Sequence, residues 1–478
     1  MVDLAGPEAV AKAGSVERAS GRRYDRRMEA RSIRGVSPVA RVLLALGLAA
    51  AATACRGGEE RPRSVILISI DTLRADHLGC YGHPLPTSPN LDAFAAQGTV
   101  FDDAFAPSPW TLPSHVSLLT GLYPTRHGVR TTDRRLADAI PSLATLLAQQ
   151  GFETGAIVNG VIMRRQFGLA QGFSAYEMIP SNQSRAGSAS RVTDAALRWL
   201  SDRRGRRVFL FLHYYDVHSD YHSLARYERM FAPGPSRFDG STAQLIDVRN
   251  GRLPIDEAGA AYLARLYDAG IRQLDLELGR LFSRLREAGW LDDSAIVVTS
   301  DHGEEFLDHG SVLHGQSHYQ ELLRVPLILR GPTIPGGSRV RTPVSLVDVV
   351  PTLLALLGVA PHPGLDGVDL QALWKVPGAP PGARWLFAAG GPGRTVDTIR
   401  SVRDGRHKLV LHKRSGRREL YDLVSDPGEQ ENLVGMRPEV ESRLWRELSR
   451  VVQSEGAAPD VPEIPGEVRQ RLEQLGYE

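Results

Sequence analysis

The chain has 478 residues, with 57 Lys+Arg against 55 Asp+Glu and a formal net charge of +2. At 42% apolar and 23% charged residues it has ordinary globular composition, which excludes a long disordered or fibrous chain. The near-neutral balance gives no electrostatic case for nucleic acid as a partner, and 2 cysteines exclude a disulfide scaffold and a cysteine-based zinc module.

Residues 1–41 are rich in Arg and Ala. From Val42 an apolar run of about 13 residues follows, too short to span a bilayer as a helix. Arg31, Arg34 and Arg41 precede it and small residues follow it, the pattern of a secretory signal. Thr53-Ala54-Cys55 resembles a bacterial lipoprotein cleavage box, although Ala52 stands where Leu is usual. Cys55 is then expected to carry lipid and become the mature N-terminus of an exported protein, anchored in the periplasm or outer envelope. A plain signal peptide cleaved nearby is the alternative, and Met28 is a second candidate start. With Cys55 lipidated, Cys80 has no partner and reads as a buried structural thiol.

After a polar tether, Ser64–Ile70 is a continuous apolar run ending at Asp71, as expected of a strand buried on both faces of a parallel sheet. Residues 155–158, 208–212 and 295–299 repeat the pattern. Helical patterns lie between them: from Pro89 to Gly98, from Pro141 to Gln150, over 256–289, and from Ser345 to Leu357. Strand alternating with helix predicts an α/β fold, a large and mostly parallel sheet between helices. Pro361, Pro363 and the Pro/Gly cluster at 377–382 mark a boundary. Beyond it, 398–402, the turn Asp404-Gly405, and 407–411 predict a hairpin, followed by a strand over 419–423 and a polar helix from about 466. The expected division is a leader over 1–55, a tether over 56–63, a catalytic domain over 64–375, and a small antiparallel-sheet subdomain over 383–478.

Asp71 and Asp301-His302 each stand at the carboxyl end of a predicted strand, the edge where an open parallel sheet binds ligands. If those strands are neighbours, two carboxylates and an imidazole converge, and like charges that close need a cation between them. The alternative is that both aspartates merely cap the next element. Ser114 is expected to begin a short helix that Gly121 ends, which puts Thr111 just before the helix N-terminus, where free N–H groups attract an anion. A metal would lower the pKa of its hydroxyl and fix its direction; a turn or capping role is the other reading.

These segments resemble the sulfatase family of the alkaline phosphatase superfamily. The resemblance lies in residues 70–82, in 111–121 with 123–129, in 213–218, in 300–304, in 323–328, and in 419–423 with 426–433. Six blocks in order, over residues 64 to about 435, are highly specific.

The resemblance implies a divalent cation held by Asp71, Thr111, Asp301 and His302, with Ca²⁺ first by family and Zn²⁺ or Mn²⁺ otherwise. Thr72 replaces a second Asp found in many members. Thr111 falls where Cys or Ser is oxidised to formylglycine; Thr cannot be so converted, and formylglycine is not expected. Threonine nucleophiles occur in the superfamily's phosphodiesterases and phospho-alcohol transferases, which makes phosphate esters a rival to sulfate. His115 falls at the usual Arg of that signal, and His218 matches a His that contacts the ester. Asn159 stands near an absent Lys-x-x-His pair. Gln316 stands near a usual Lys or His, for which His314 or His318 can substitute. Asp216, His218, Asp220 and His222 could supply a second metal or, more simply, shape the pocket. Arg126 and His127 read as structural.

The expected function is metal-dependent hydrolysis of sulfate or phosphate esters, with Thr111 as nucleophile, His115 and His218 as catalytic partners, and Asn159, His314 and Gln316 as substrate contacts. The expected partners are an anionic ester substrate (a sulfated or phosphorylated glycan, lipid or small molecule) and the membrane through the lipid anchor. A phospho-alcohol transferase acting on envelope components and a catalytically inactive binding lipoprotein are the alternatives.

Overall fold

The computed structural model describes residues 61–180, 185–375, 384–391 and 398–455, with positions 466, 468, 470 and 472. The leader, Cys55, most of the tether and the 377–382 cluster lie outside the described residues. Residues Glu59–Glu478 form one compact unit.

The main sheet takes its strands from the length of the chain: β1 (Ser64–Ile70), β2 (Thr99–Phe105), β3 (Glu153–Asn159), β4 (Ala175–Ile179), β5 (Val208–Tyr214), β6 (Ser294–Thr299), then, after the small hairpin of β7 (Glu305–Phe306) and β8 (Val312–Leu313), β9 (Arg324–Arg330), β10 (Ser338–Val340) and β11 (Val344–Ser345). The spatial order is β10-β2-β9-β6-β1-β5-β3-β4, with β11 also on β2. From β6 to β4 the pairing is parallel; β9 runs antiparallel to both β6 and β2, so the sheet is mixed and mostly parallel.

The strand at the centre explains the apolar run that announces it. Every residue of β1 is buried, and its side chains alternate between two cores with the period of two that a pleated strand imposes. Val65 and Leu67 join one core; Ile66, Ile68 and Ile70 join the other. Phe209 and Phe211 of β5 oppose Leu210 and Leu212 in the same way. Each fully buried side chain of this kind contributes about 1.5–3 kcal/mol.

Helices cover both faces. One face carries α2 (Thr111–Thr120), α3 (Leu143–Gln149) and α6 (Val349–Leu356); the other carries α1 (Pro89–Ala95), α4 (Ala189–Leu200) and α5 (Glu257–Glu287). Their ends have local causes. Pro89 starts α1, Ser142 accepts from Thr145 N at α3, and Asp256 accepts from Gly259 N at 2.8 Å to open α5, which closes before Gly289 at φ 75°. No helix of the described residues is long and apolar enough to cross a membrane.

Two departures from the sequence reading stand out. The helix expected at Ser114 begins three residues earlier, at Thr111. Proline is tolerated there because the first turn has no intrahelical use for its N–H groups. The helix α7 (Pro438–Gln453) is the other: only Leu444 and Leu448 of its charged sequence are buried, too narrow an apolar stripe to read in advance. It packs on the antiparallel sheet of β12 (Leu386–Gly390), β13 (Ile399–Arg403), β14 (His407–His412) and β15 (Arg417–Asp422), where the expected hairpin and third strand are found. Positions 466, 468, 470 and 472 are helical.

This second sheet is fastened to the first by buried charge. Lys408 Nζ lies 2.5 Å from Glu429 Oε1 and donates to His318 O at 2.6 Å, and Arg403 pairs with Asp103 at 2.6 Å. His318 meets Ser401 Oγ at 3.0 Å and Gly390 O at 3.2 Å, which places it between the sheets.

Candidate active site

β1 and β6 are neighbours with Ser69 opposite Thr299, so the residues that follow them leave the sheet together. Asp71, Asp301 and His302 are all fully buried, and one ligand atom from each lies within 4.8 Å of the others. His302 Nε2 is 3.3 Å from Asp301 Oδ2 and 3.8 Å from Asp71 Oδ1. Thr72 adopts φ 56°, an uncommon conformation for a β-branched residue, and this directs its N–H to Asp301 Oδ1 at 3.2 Å.

The third side of the cluster is α2. Thr111 is its first residue, with the extended Trp110 at the cap position, so the threonine side chain is not spent on capping. Thr111 Oγ1 instead lies 3.2 Å from His302 Nε2. Ser114 donates to Asp301 O at 2.7 Å and ties the helix to the end of β6.

The imidazole tautomers show what the cluster could hold. His302 Nδ1–H donates to Gly303 O at 2.9 Å, and His213 Nδ1–H donates to Asn159 O at 2.6 Å. Each ring therefore turns a bare Nε2 lone pair inward, and His213 Nε2 faces Asp71 Oδ2 at 3.3 Å. Both oxygens of Asp71, Oδ2 of Asp301 and Nε2 of His213 are buried with no hydrogen-bond partner. Acceptor atoms gathered this way repel one another unless a cation lies among them. Asp71, Asp301 and His302, with Thr111 beside them, thus fit a divalent ion on donor chemistry alone. The electrostatics agree. Burial raises the carboxyl of Asp71 and pushes that of Asp301 up to about 7, where the neighbouring Asp71 raises it further. Burial also lowers His213 and His302 to about 4, which keeps both neutral.

The other expected site residues separate into groups. His218 and His314 join the cluster: their rings meet at 4.9 Å, and His314 packs on His302 at 4.5 Å. His218 Nδ1 donates to Ser219 O at 2.8 Å and its ring stacks on Tyr215 at 4.3 Å. His115 is fully buried with both nitrogens engaged: Nε2 accepts from Ser69 Oγ at 3.0 Å, and Nδ1 donates to Thr111 O at 2.8 Å, 3.5 Å from Asp301 Oδ2. It braces α2 and Asp301 and does not offer a free nitrogen to an ester, contrary to the expectation from its position. Asn159 turns its amide to Ile179 O at 3.1 Å and reaches the cluster only through His213. Gln316 donates to Glu305 Oε2 at 2.6 Å, at the small hairpin, and not to a residue of the cluster. His318 lies between the sheets and does not substitute for it.

Asp216, Asp220 and His222 hold backbone instead of converging: Asp216 accepts from Ala189 N at 2.9 Å, Asp220 from Thr242 N at 2.5 Å, and His222 faces Asp239 O at 3.0 Å. Arg126 pairs with Asp366 and His127 with Ser117, both structural.

Sequence reasoning overlooked two members. Glu304 is fully buried, accepts from His314 Nδ1 at 3.0 Å, and is raised to about 7, first by burial. His213 sits inside β5. The signal for Glu304 was its place two residues after His302; for His213 it was a polar residue in an otherwise apolar strand.

Comparison with known proteins agrees with this geometry. The family model described as "Sulfatase" matches residues 63–359, and one described as "N-sulphoglucosamine sulphohydrolase, C-terminal" matches residues 312–454. Human arylsulfatase A is 27% identical over 462 residues, covering 82% of this chain and 85% of that protein. A solved structure of a protein in complex with its substrate D-glucosamine-2-N,6-O-disulfate superposes with a TM-score of 0.69 at 21% identity, covering 82% of this chain and 98% of the other. The phosphonate monoester hydrolase of Agrobacterium radiobacter does so with a TM-score of 0.68 at 23% identity, covering 82% and 96%. The chain belongs to the sulfatase family, and is a hydrolase acting on ester bonds.

Proposed function

We propose that this sulfatase-family hydrolase cleaves an anionic sulfate or phosphate-type ester with Thr111 as the attacking nucleophile. The observation that carries the reading is Thr111 Oγ1 at 3.2 Å from His302, beside carboxylate oxygens that have no partner of their own. A divalent cation held by Asp71, Asp301 and His302 would acidify the Thr111 hydroxyl and polarise an oxygen of the ester.

The residues of the chain supply the rest. Thr111 Oγ forms a bond to sulfur or phosphorus as the bond to the leaving alkoxide breaks, and the hydroxyl proton passes to solvent. The departing oxygen takes its proton from water; His314, which donates Nδ1–H to Glu304, and His218, which donates to Ser219 O, line the same cluster as neutral imidazoles, lowered by burial to about 3 and about 4, and can accept hydrogen bonds there. Water then attacks the threonine ester, which releases the acid and restores the hydroxyl. His115 and Ser69 keep α2 and Asp301 in register for the attack.

Thr111 itself favours phosphate or phosphonate over sulfate, because a plain threonine ester must be opened by water and lacks the aldehyde route for expelling sulfate. The glycan sulfatases and phosphonate monoester hydrolase among the relatives support an ester of an anionic glycan or small molecule as substrate. Export and lipid anchoring at Cys55 remain part of this reading, resting on the leader sequence. Parallel assays with 4-nitrophenyl sulfate, phosphate and phenylphosphonate test it, with Ca²⁺, Mn²⁺ or Zn²⁺ added to the wild type and to Thr111→Ala. Metal-dependent turnover that the substitution abolishes supports the mechanism; inactivity with every metal and ester overturns it.

A further inference from the structure

Three more ligand-type side chains meet outside this cluster, where the segment following Asp71 lies against α5. His77 ends a short 3-10 turn (Ala75–His77), His83 lies in the loop before α1, and Asp268 is on the buried face of α5. His77 Nδ1 is 2.7 Å from Asp268 Oδ1, and His83 Nε2 is 3.4 Å from Asp268 Oδ2. The imidazoles stack with centroids 5.0 Å apart, and one donor atom from each residue fits within a 4.8 Å span. An ordinary histidine–carboxylate hydrogen bond accounts for His77. It accounts less well for His83, whose Nε2 is buried 3.4 Å from the same carboxylate, a long contact outside good hydrogen-bond geometry. Two imidazole nitrogens and one carboxylate are a donor set for a Zn²⁺-like ion, whereas Ca²⁺ takes oxygen ligands.

We infer that His77, His83 and Asp268 form a second divalent-cation site, of Zn²⁺ type and structural in role, which fastens the chain between Asp71 and α1 to α5. On binding, the proton that His77 Nδ1 shares with Asp268 leaves to solvent and the freed lone pair goes to the ion. His83 contributes Nε2 and Asp268 a carboxylate oxygen. The histidine side chains are 12% and 13% exposed, so water can take the fourth position. The adjacent Tyr267 already ties the same segment down: its hydroxyl accepts from Arg74 N at 2.8 Å and donates to Thr72 O at 2.7 Å.

The test uses the full chain carrying Asp71→Asn and Asp301→Asn, which takes the catalytic cluster out of the metal count. Stripped of metal, given Zn²⁺ and gel-filtered, it is expected to retain one zinc per chain. Its thermal midpoint should rise by about 3 °C at a hundredfold excess over Kd. Adding His83→Ala should remove both the zinc and the rise. His83→Gln serves as the second variant, since its amide keeps a donor for Asp268; it should match the metal-free midpoint of its parent and bind no zinc. No zinc in the parent, or zinc and midpoint response unchanged in both His83 variants, overturns the assignment.

Discussion

Removing the Thr111 hydroxyl separates chemistry from folding. Thr111 is 1% exposed at the start of α2, its side chain caps nothing, and its hydroxyl faces His302 Nε2 at 3.2 Å. Thr111→Ala therefore loses one buried polar contact and one methyl group, about 2 kcal/mol together. With an unfolding entropy of about 2.1 cal/mol/K per residue over some 400 ordered residues, the midpoint falls by only about 2 °C. Turnover falls far more, on the order of 10⁴-fold, because the attacking oxygen is gone and the remaining groups give only residual catalysis. Thr111→Ser keeps the oxygen and should stay within about tenfold of wild type. The assay is kcat on the best chromogenic ester beside the midpoint of each variant. A Thr111→Ala protein that folds normally and turns over within tenfold of wild type refutes the argument.

Further outcomes follow from the same contacts. Asp301→Asn should abolish stabilisation by added Ca²⁺ while raising the stability of the metal-free protein at neutral pH, since it removes a buried like charge beside Asp71; differential scanning fluorimetry with and without chelator reads both. His115→Ala, which unties Asp301 and the Thr111 carbonyl from Ser69, should weaken metal affinity by about 10–100-fold, measured by competition with a chromophoric chelator. In the metal-free protein, burial raises Glu304 from 4.5 to about 7, so the folded state holds a proton the unfolded chain has released. Stability is full below about 4.5 and is lost as pH rises towards 7, by about 3 kcal/mol, and Glu304→Gln should flatten urea-unfolding energies across that window. Lys408→Met strands the buried carboxylate of Glu429 and should cost about 3–5 kcal/mol in the same assay.

The parts of the molecule that the sequence displays are those where one physical requirement dominates. β1 is buried on both faces, so its run of Val, Ile and Leu is unbroken and Asp71 marks its end. Two carboxylates and an imidazole at neighbouring strand ends leave a signal because such residues are rare inside a sheet. Where several requirements compete, the sequence is ambiguous. Ser114, just after Pro113, looks like the start of α2, yet both lie within its first turn, which moves Thr111 from before the helix to its first residue. His115 occupies the position of a substrate-contacting Arg but is absorbed by Ser69 and a backbone carbonyl, contacts that no local pattern encodes. Gln316 and His318 lie close in sequence to His314 but face different partners, because the short hairpin before them reverses the chain. The antiparallel β9 and the sparse stripe of α7 depend on tertiary pairing alone.

The central claim is that a cation joins the ends of β1 and β6 and sets the Thr111 hydroxyl against it. Anomalous diffraction from crystals of the active, Mn²⁺- or Zn²⁺-loaded protein measures this directly. The account predicts a peak in contact with Asp71, Asp301 and His302 and within coordination distance of Thr111 Oγ1. Crystals that turn over substrate yet show no peak among those four residues would contradict it.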